Sequence, residues 1–297
     1  MSKQAVYRAS TIKRKRRTNS QMEQLDNQII QVLEEDHPQS VRHIFYLMTD
    51  PRLAEPVEKS DAGYRHVQDR CTKLRRSGRI PYDFIADMSR QGYFVPTFSD
   101  AGDFIKRMAG HYRADLWEQS DYRAEVWCES RSIASVIQSD CNELAVSLFP
   151  CGGFASLSFA HQAAEQHNCQ DDRRPLVIFY IGDYDPAGVL IDVSLEKELR
   201  LHLKPDIDMH FARIAINEKQ IFDYDLPTKP RKKSDVRSQQ VAVTVEAEAM
   251  PANILRSILR NEIEGLLPAE ALAIAKVAEK SERNGLMVLA GKIGGAL

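Results

Sequence analysis

Apolar positions in the first third of the chain recur at helical spacing. Leu25, Ile29, Val32 and Leu33 put one apolar stripe on residues 22–35. Val67, Cys71 and Leu74 put another on residues 61–77, with Gly78 placed to end that helix. Between them His37-Pro38 breaks the first helix, and Ser40 is a capping residue for a second one through Met48. Residues 50–56, with two prolines, read as a loop. Residues 80–85 and 93–96 read as a short β-rich segment, and residues 100–117 as a connecting helix.

The pattern changes after residue 120. Short apolar runs at 125–128, 145–149, 176–181 and 209–216 alternate with helical segments at 157–167, 187–203 and 218–224. Six consecutive apolar residues, Leu176 to Ile181, form a strand buried on both faces, the mark of a parallel sheet. Alternation of strand and helix predicts an α/β fold with that sheet at its centre. Residues 251–267 and 268–289 close the chain as two helices.

Two of these strands end in acids. The run to Ile181 passes into Gly182-Asp183-Tyr184-Asp185-Pro186, and the run to Cys128 passes into Glu129. Open α/β sheets bind ligands at the carboxyl ends of their strands. Carboxylates leaving two strands there can converge on a hard cation such as Mg²⁺. The ordinary alternative is that one Asp caps the following helix and the other faces solvent.

A Glu after the first strand, a Gly152-Gly153-Phe154 turn and an Asp183-x-Asp185-Pro-x-Gly188 sequence together resemble the Toprim domain of topoisomerases, some primases and some nucleases. The Asp-x-Asp-Pro-x-Gly form and the glycine-rich turn resemble those of one branch, the type IIB topoisomerase A subunit (topoisomerase VI A) and the related meiotic double-strand-break transesterases. Their basic residue after the Glu is Ser130 here, with Arg131 one position later. The resemblance implies a winged-helix domain ahead of the Toprim-type parallel-sheet α/β domain, α+β overall, with C-terminal helices. Its domains would be a basic arm (1–20), a nucleophile-bearing DNA-binding domain (21–120) and the metal-binding domain with its helices (121–297). Tyr46 stands where that family has its nucleophile, with Arg42 four residues earlier on the same helical face. Glu129, Asp183 and Asp185 would hold Mg²⁺, with Mn²⁺ as the alternative ion. The resemblance further implies a homodimer in which each Tyr46 meets the partner's acids.

Charge refines this reading. The chain has 297 residues and net charge −2, but residues 1–110 carry 19 Lys+Arg against 14 Asp+Glu and the remainder 21 against 28. A basic first part is expected of a double-stranded DNA binder. Arg65, Arg70, Lys73, Arg75 and Arg76 on the third helix, and Arg231, Lys232 and Lys233 in a Pro-rich loop, are the candidate DNA contacts. Residues 13–17 form a basic arm that could meet phosphates. Glu246 and Glu248 lie in residues 241–250; they could approach the metal centre, but the simpler reading is of surface acids.

Five cysteines without CxxC spacing argue for free thiols in a reducing compartment, and no apolar run reaches membrane-spanning length. These features predict a cytoplasmic, nucleoid-associated protein. The chain has no phosphate loop, so ATP coupling would need a separate GHKL-type ATPase subunit. Two other functions fit the same residues: a Toprim nuclease that hydrolyses DNA with metal-activated water, and a non-catalytic DNA-binding protein.

Overall fold

The computed structural model describes residues 17–86, 95–153, 157–230 and 243–294. Thr18 opens helix α1 (Asn19–Glu35); its hydroxyl accepts from the Gln21 N–H while the Gln21 side chain accepts from the Thr18 N–H. Ser40 opens α2 (Val41–Met48) by accepting from the His43 N–H. Ser60 opens α3 (Asp61–Arg76), where a Cβ on Gly63 would lie 2.0 Å from the Glu58 carbonyl oxygen. Gly78, at φ +71°, follows its end. Leu25, Ile29, Leu33, Ile44, Met48, Val67 and Leu74 are buried where the three helices meet.

Two expectations fail in the next stretch. Residues 80–86 form a 3₁₀ turn (Tyr82–Phe84) behind Pro81, then one bridge from Ile85 to Gln39, instead of a strand. The backbone there is tied to the α1–α2 connection, Gln39 N–H donating to Phe84 and Ala86 N–H to Gln39. Of the rest of the expected β-rich segment, residues 93–94 lie outside the described residues and residues 95–96 form no strand. The long connecting helix is also shorter: α4 (Ala101–Met108) gives way to a 3₁₀ turn at Ala109–His111. Gly110 is a poor helix former at that point, and Asp115 then accepts from the Trp117 N–H in a non-helical turn.

The second part is the α/β layer the alternation predicts. β1 (Arg123–Cys128), α5 (Arg131–Glu143), β2 (Ser147–Pro150), α6 (Leu157–Asn168), β3 (Leu176–Ile181), α7 (Gly188–His202) and β4 (Met209–Ala215) follow in turn. The four strands pair in parallel in the order β2-β1-β3-β4. Alternate residues of β3 serve opposite faces. Leu176, Ile178 and Tyr180 pack with Ile191, Leu195 and Leu199 of α7. Val177, Phe179 and Ile181 join a cluster with Ile133 and Ile137 of α5. That cluster continues without a break into Leu25, Ile44 and Leu74, so α1–α3 and the sheet share one core.

Beyond β4 come α8 (Glu218–Asp223), the two-residue antiparallel strands β5 (Lys229–Pro230) and β6 (Val243–Thr244), and a 3₁₀ turn at Ala247–Ala249. α9 (Ala252–Glu264) buries Leu255, Leu259 and Ile263 against the α5 side. α10 (Ala271–Gly294) runs back along α4, with Gly102 approached so closely that a Cβ would lie 2.8 Å from the Gly294 Cα. Among the described residues no helix is long and apolar enough to cross a membrane.

Sheet order fixes where a site can form. The first crossover carries the chain from β1 to β2 on one side; the next returns it past β1 to β3 on the other. At that reversal the connections leaving β1 and β3 diverge and leave a crevice at the strands' carboxyl ends.

Candidate functional site

Glu129 and Asp183 are the residues that leave β1 and β3, so the reversal sets them side by side. Glu129 N–H donates to the Ile181 carbonyl at 2.9 Å, and a Glu129 carboxylate oxygen accepts from the Asp183 N–H at 3.0 Å. Gly152 and Gly153, at φ +70° and +95°, turn both N–H groups onto the Glu129 carbonyl at 2.9 and 3.2 Å. A residue with a Cβ would be strained at either position. The Gly-Gly turn thus holds the backbone of the first acid, while Phe154 lies outside the described residues.

Asp185 does something else. Its Oδ1 accepts from Ala187 N–H at 2.8 Å and Gly188 N–H at 2.6 Å, fixing the start of α7. Gly188 is required there, since a Cβ would lie 2.1 Å from the Asp183 carbonyl oxygen. The capping alternative raised by the sequence therefore describes Asp185 and not Asp183.

Residues 245–249 complete the site, contrary to their reading as surface. Val245 and Tyr184 exchange backbone hydrogen bonds at 2.9 Å in both directions, and Asp183 Oδ1 accepts from Ala247 N–H at 2.8 Å. Glu248 is carried inward, 6 % exposed, with one oxygen on the Ser130 hydroxyl at 3.3 Å. Glu246, half-buried, pairs with Arg42 and, at 2.8 Å, with Lys229.

The result is a cleft of about 550 Å³ whose walls include Glu129, Asp183 and Glu248 together with Arg42, Arg75, Arg131 and several serines. Burial, then the Glu129 charge, pushes the Asp183 carboxyl up to about 7. Burial also raises Glu129, with Asp185 and Glu248 adding to it against the pull of the Asp183 N–H. Crowded carboxylates of this kind favour a proton or a cation.

Tyr46 lies next door. It is 6 % exposed and lines a second cavity, of about 290 Å³, with Lys59, Lys229 and Glu246. Arg42 and Tyr64 line both cavities, so the two share a wall. Helix α2 packs on the 3₁₀ turn that carries Glu248. Burial raises the Tyr46 phenol well above its ordinary value, and the facing Glu246 carboxylate raises it further. Lys59 and Lys229 ammonium groups sit 5.6 and 5.9 Å from its ring centre.

The candidate DNA contacts divide. Arg65, Lys73 and Arg76 are exposed on α3. Arg70 is not free: it makes a bidentate ion pair with Asp26, which is 2 % exposed. Arg75 donates to the carbonyls of Tyr82 and Ile85, both at 2.5 Å, and braces the 3₁₀ turn. Arg231, Lys232 and Lys233 lie outside the described residues. So do residues 13–16 of the arm, while Arg17 pairs with Glu55 at 3.3 Å.

The carboxylates offer hard oxygens, the kind of donor Mg²⁺ takes, but Arg42, Arg75 and Arg131 line the same cleft and balance the charge of Glu129, Asp183 and Glu248. Among the described residues, no three Asp, Glu, His or Cys side chains are gathered tightly enough to form a ready-made ligand group. Glu129 and Asp183 are turned to backbone N–H groups instead. Compared with known protein families, curated proteins and solved structures, the chain matches none.

Proposed function

We propose that this protein is a Mg²⁺-dependent DNA-cleaving enzyme that uses Tyr46 as nucleophile, in the manner of a type IIB topoisomerase A subunit. In this reading α1–α3 are the winged-helix part and the parallel sheet is a Toprim domain. The observation that carries it is the packing of α2 on the turn at Ala247–Ala249, which sets the Tyr46 helix against the segment that donates to Asp183. A tyrosine, an arginine and three acids are thereby brought to adjoining cavities at the crevice of the sheet.

The chain's residues divide the work. The Tyr46 oxygen attacks phosphorus, forming a phosphotyrosyl bond as the bond to the 3′ oxygen breaks; the phenolic proton leaves and the 3′ oxygen gains one. Glu246 is the carboxylate facing that phenol. Arg42 stands between the cavities, where a guanidinium offsets charge on the phosphoryl oxygens. A Mg²⁺ held by Glu129 and Asp183, with Asp185 behind them, would supply further charge neutralisation at the leaving oxygen. Exposed Arg65, Lys73 and Arg76 would meet the DNA backbone. A homodimer and a separate ATPase belong to this reading through the family resemblance.

One observation favours a second reading, a Toprim nuclease in which water attacks. Tyr46 is buried and its phenol raised, so it is poorly prepared to ionise within the single chain.

Supercoiled plasmid incubated with Mg²⁺ or Mn²⁺, with and without proteinase K, separates the two. DNA released only by protease, and absent in Tyr46→Phe and Asp183→Ala, is expected. Cleavage that survives Tyr46→Phe would give the case to hydrolysis.

A further inference from the structure

The loop that carries Asp183 is held at both of its ends by one side chain, Arg213. That loop leaves β3 at Gly182 and enters α7 at Gly188. At its first end, Arg213 Nη1 donates to the Gly182 carbonyl at 3.0 Å and to the Asp183 carbonyl at 3.3 Å. At its second end, Arg213 Nη2 donates to the Gly188 carbonyl at 2.7 Å. Nη1 also reaches the Ile216 carbonyl, just past β4, at 3.2 Å. One guanidinium thus joins the ends of two neighbouring strands to the first turn of a helix.

Arg213 is itself fixed in place. It stands opposite Tyr180 in the β3–β4 register and lies over that ring, 5.1 Å from its centre. Its Nε donates at 2.5 Å to the Asp192 carboxylate on α7, and both side chains of this ion pair are mostly buried. A planar fork with five N–H donors can meet a carboxylate and four carbonyls from a single position. A Lys ammonium carries three donors on one atom and would reach one end of the loop at a time. Arg213 lines neither cavity and works from beside Tyr180, which packs against α7. The contacts of Asp183 within the site, its N–H to Glu129 and its Oδ1 to the Ala247 N–H, depend on where that backbone is held.

We propose that Arg213 is the positioning residue of Asp183. By setting the span between the end of β3 and the start of α7, it holds Asp183 against Glu129 and Ala247 from outside the cleft. This inference rests on the DNA-cleaving reading above, in which Asp183 is required. It adds that the geometry of the acid is set by a cation on the neighbouring strand, acting through the backbone.

Amide hydrogen exchange of the full chain, read residue by residue beside the plasmid assay, tests it. Arg213→Lys keeps the charge but cannot span the loop. It should speed exchange of the Asp183, Gly188 and Ala247 amides by about tenfold or more, as losing one or two hydrogen bonds from a loop does. The amides of Val126 and Ile178, inside the sheet, should exchange as in wild type. At a temperature where the variant is fully folded, cleavage should fall by about 10²-fold, the cost of a misplaced group. Asp192→Ala leaves Arg213 in the chain and removes the carboxylate that orients it, so it keeps the test open should Arg213→Lys not fold. It should speed the same three amides by a smaller factor. Equal acceleration of loop and sheet amides would make Arg213 a packing residue and overturn the proposal. Unchanged loop amides would overturn it too, as would full cleavage by Arg213→Lys where Asp183→Ala is inactive. Cleavage absent in wild type, or kept in Asp183→Ala, would instead overturn the DNA-cleaving reading, and the exchange rates would still decide whether Arg213 holds the loop.

Discussion

Asp183 accepts a 2.8 Å hydrogen bond from the backbone N–H of Ala247. The acid that leaves the central strand therefore also holds down the segment that brings Glu246 toward Arg42 and Glu248 into the cleft. Asp183→Asn preserves that acceptor, whereas Asp183→Ala strands a buried N–H at about 1–3 kcal/mol. Asn is expected to melt above Ala while both abolish cleavage. Equal melting temperatures would show that the bond does not hold the segment.

The same residue sets a pH dependence. Its carboxyl is pushed up to about 7 by burial and Glu129, above its unfolded value near 4. The fold therefore binds that proton more tightly than the unfolded chain does. The resulting stability is fully present below about pH 4 and is lost as pH rises through about 7. Denaturant titrations in EDTA at about pH 5 and 8 should show this loss in wild type and a smaller one in Asp183→Asn. Mn²⁺ affinity should rise over the same interval, with protons released, because the ion competes with that proton.

Arg42 is paired with Glu246 through partly exposed side chains. Arg42→Ala should cost about 1 kcal/mol or less in stability but reduce cleavage by about 10²–10³. Parallel urea titrations and plasmid assays would separate these effects. A matching fall in both would make Arg42 a packing residue.

Arg70→Ala should behave in the reverse way. It leaves Asp26 buried with only the 3.5 Å contact to Arg79, and removing one partner of a buried pair costs about 3–5 kcal/mol. Urea unfolding should show a loss near the lower end of that range. A change below about 1 kcal/mol would return Arg70 to the surface cations.

Arg65, Lys73 and Arg76 give the DNA prediction. Changing all three to Ala should weaken binding and flatten the dependence of log affinity on log salt by about 1 per lost phosphate contact. An unchanged slope in fluorescence anisotropy would place the DNA elsewhere.

Much of this was legible in the sequence because the signals are local. The six apolar residues of β3 begin and end where the run does, and Ser40 and Gly78 mark helix ends by their own chemistry. Long-range partners were not legible. Arg70 and Arg75 look identical to DNA-facing cations until Asp26 and the 3₁₀ turn are set against them. The available clue was Asp26 itself, which sits next to Leu25 on the apolar stripe of α1. The choice between surface and site for Glu248 could not be made for the same reason: its burial depends on Tyr184 pairing with Val245, across about sixty residues. The alternation of small apolar residues with acids, Ala247-Glu248-Ala249, was the trace it left.

The bridge from Val245 back to Tyr184 has a consequence for biosynthesis. Translation delivers Tyr46 first, then Glu129, Asp183 and the four-stranded sheet, and only afterwards the segment with Glu248. A chain still on the ribosome can thus carry a finished sheet and an unfinished cleft. The segment that closes the cleft thus arrives only after the sheet that positions it already exists.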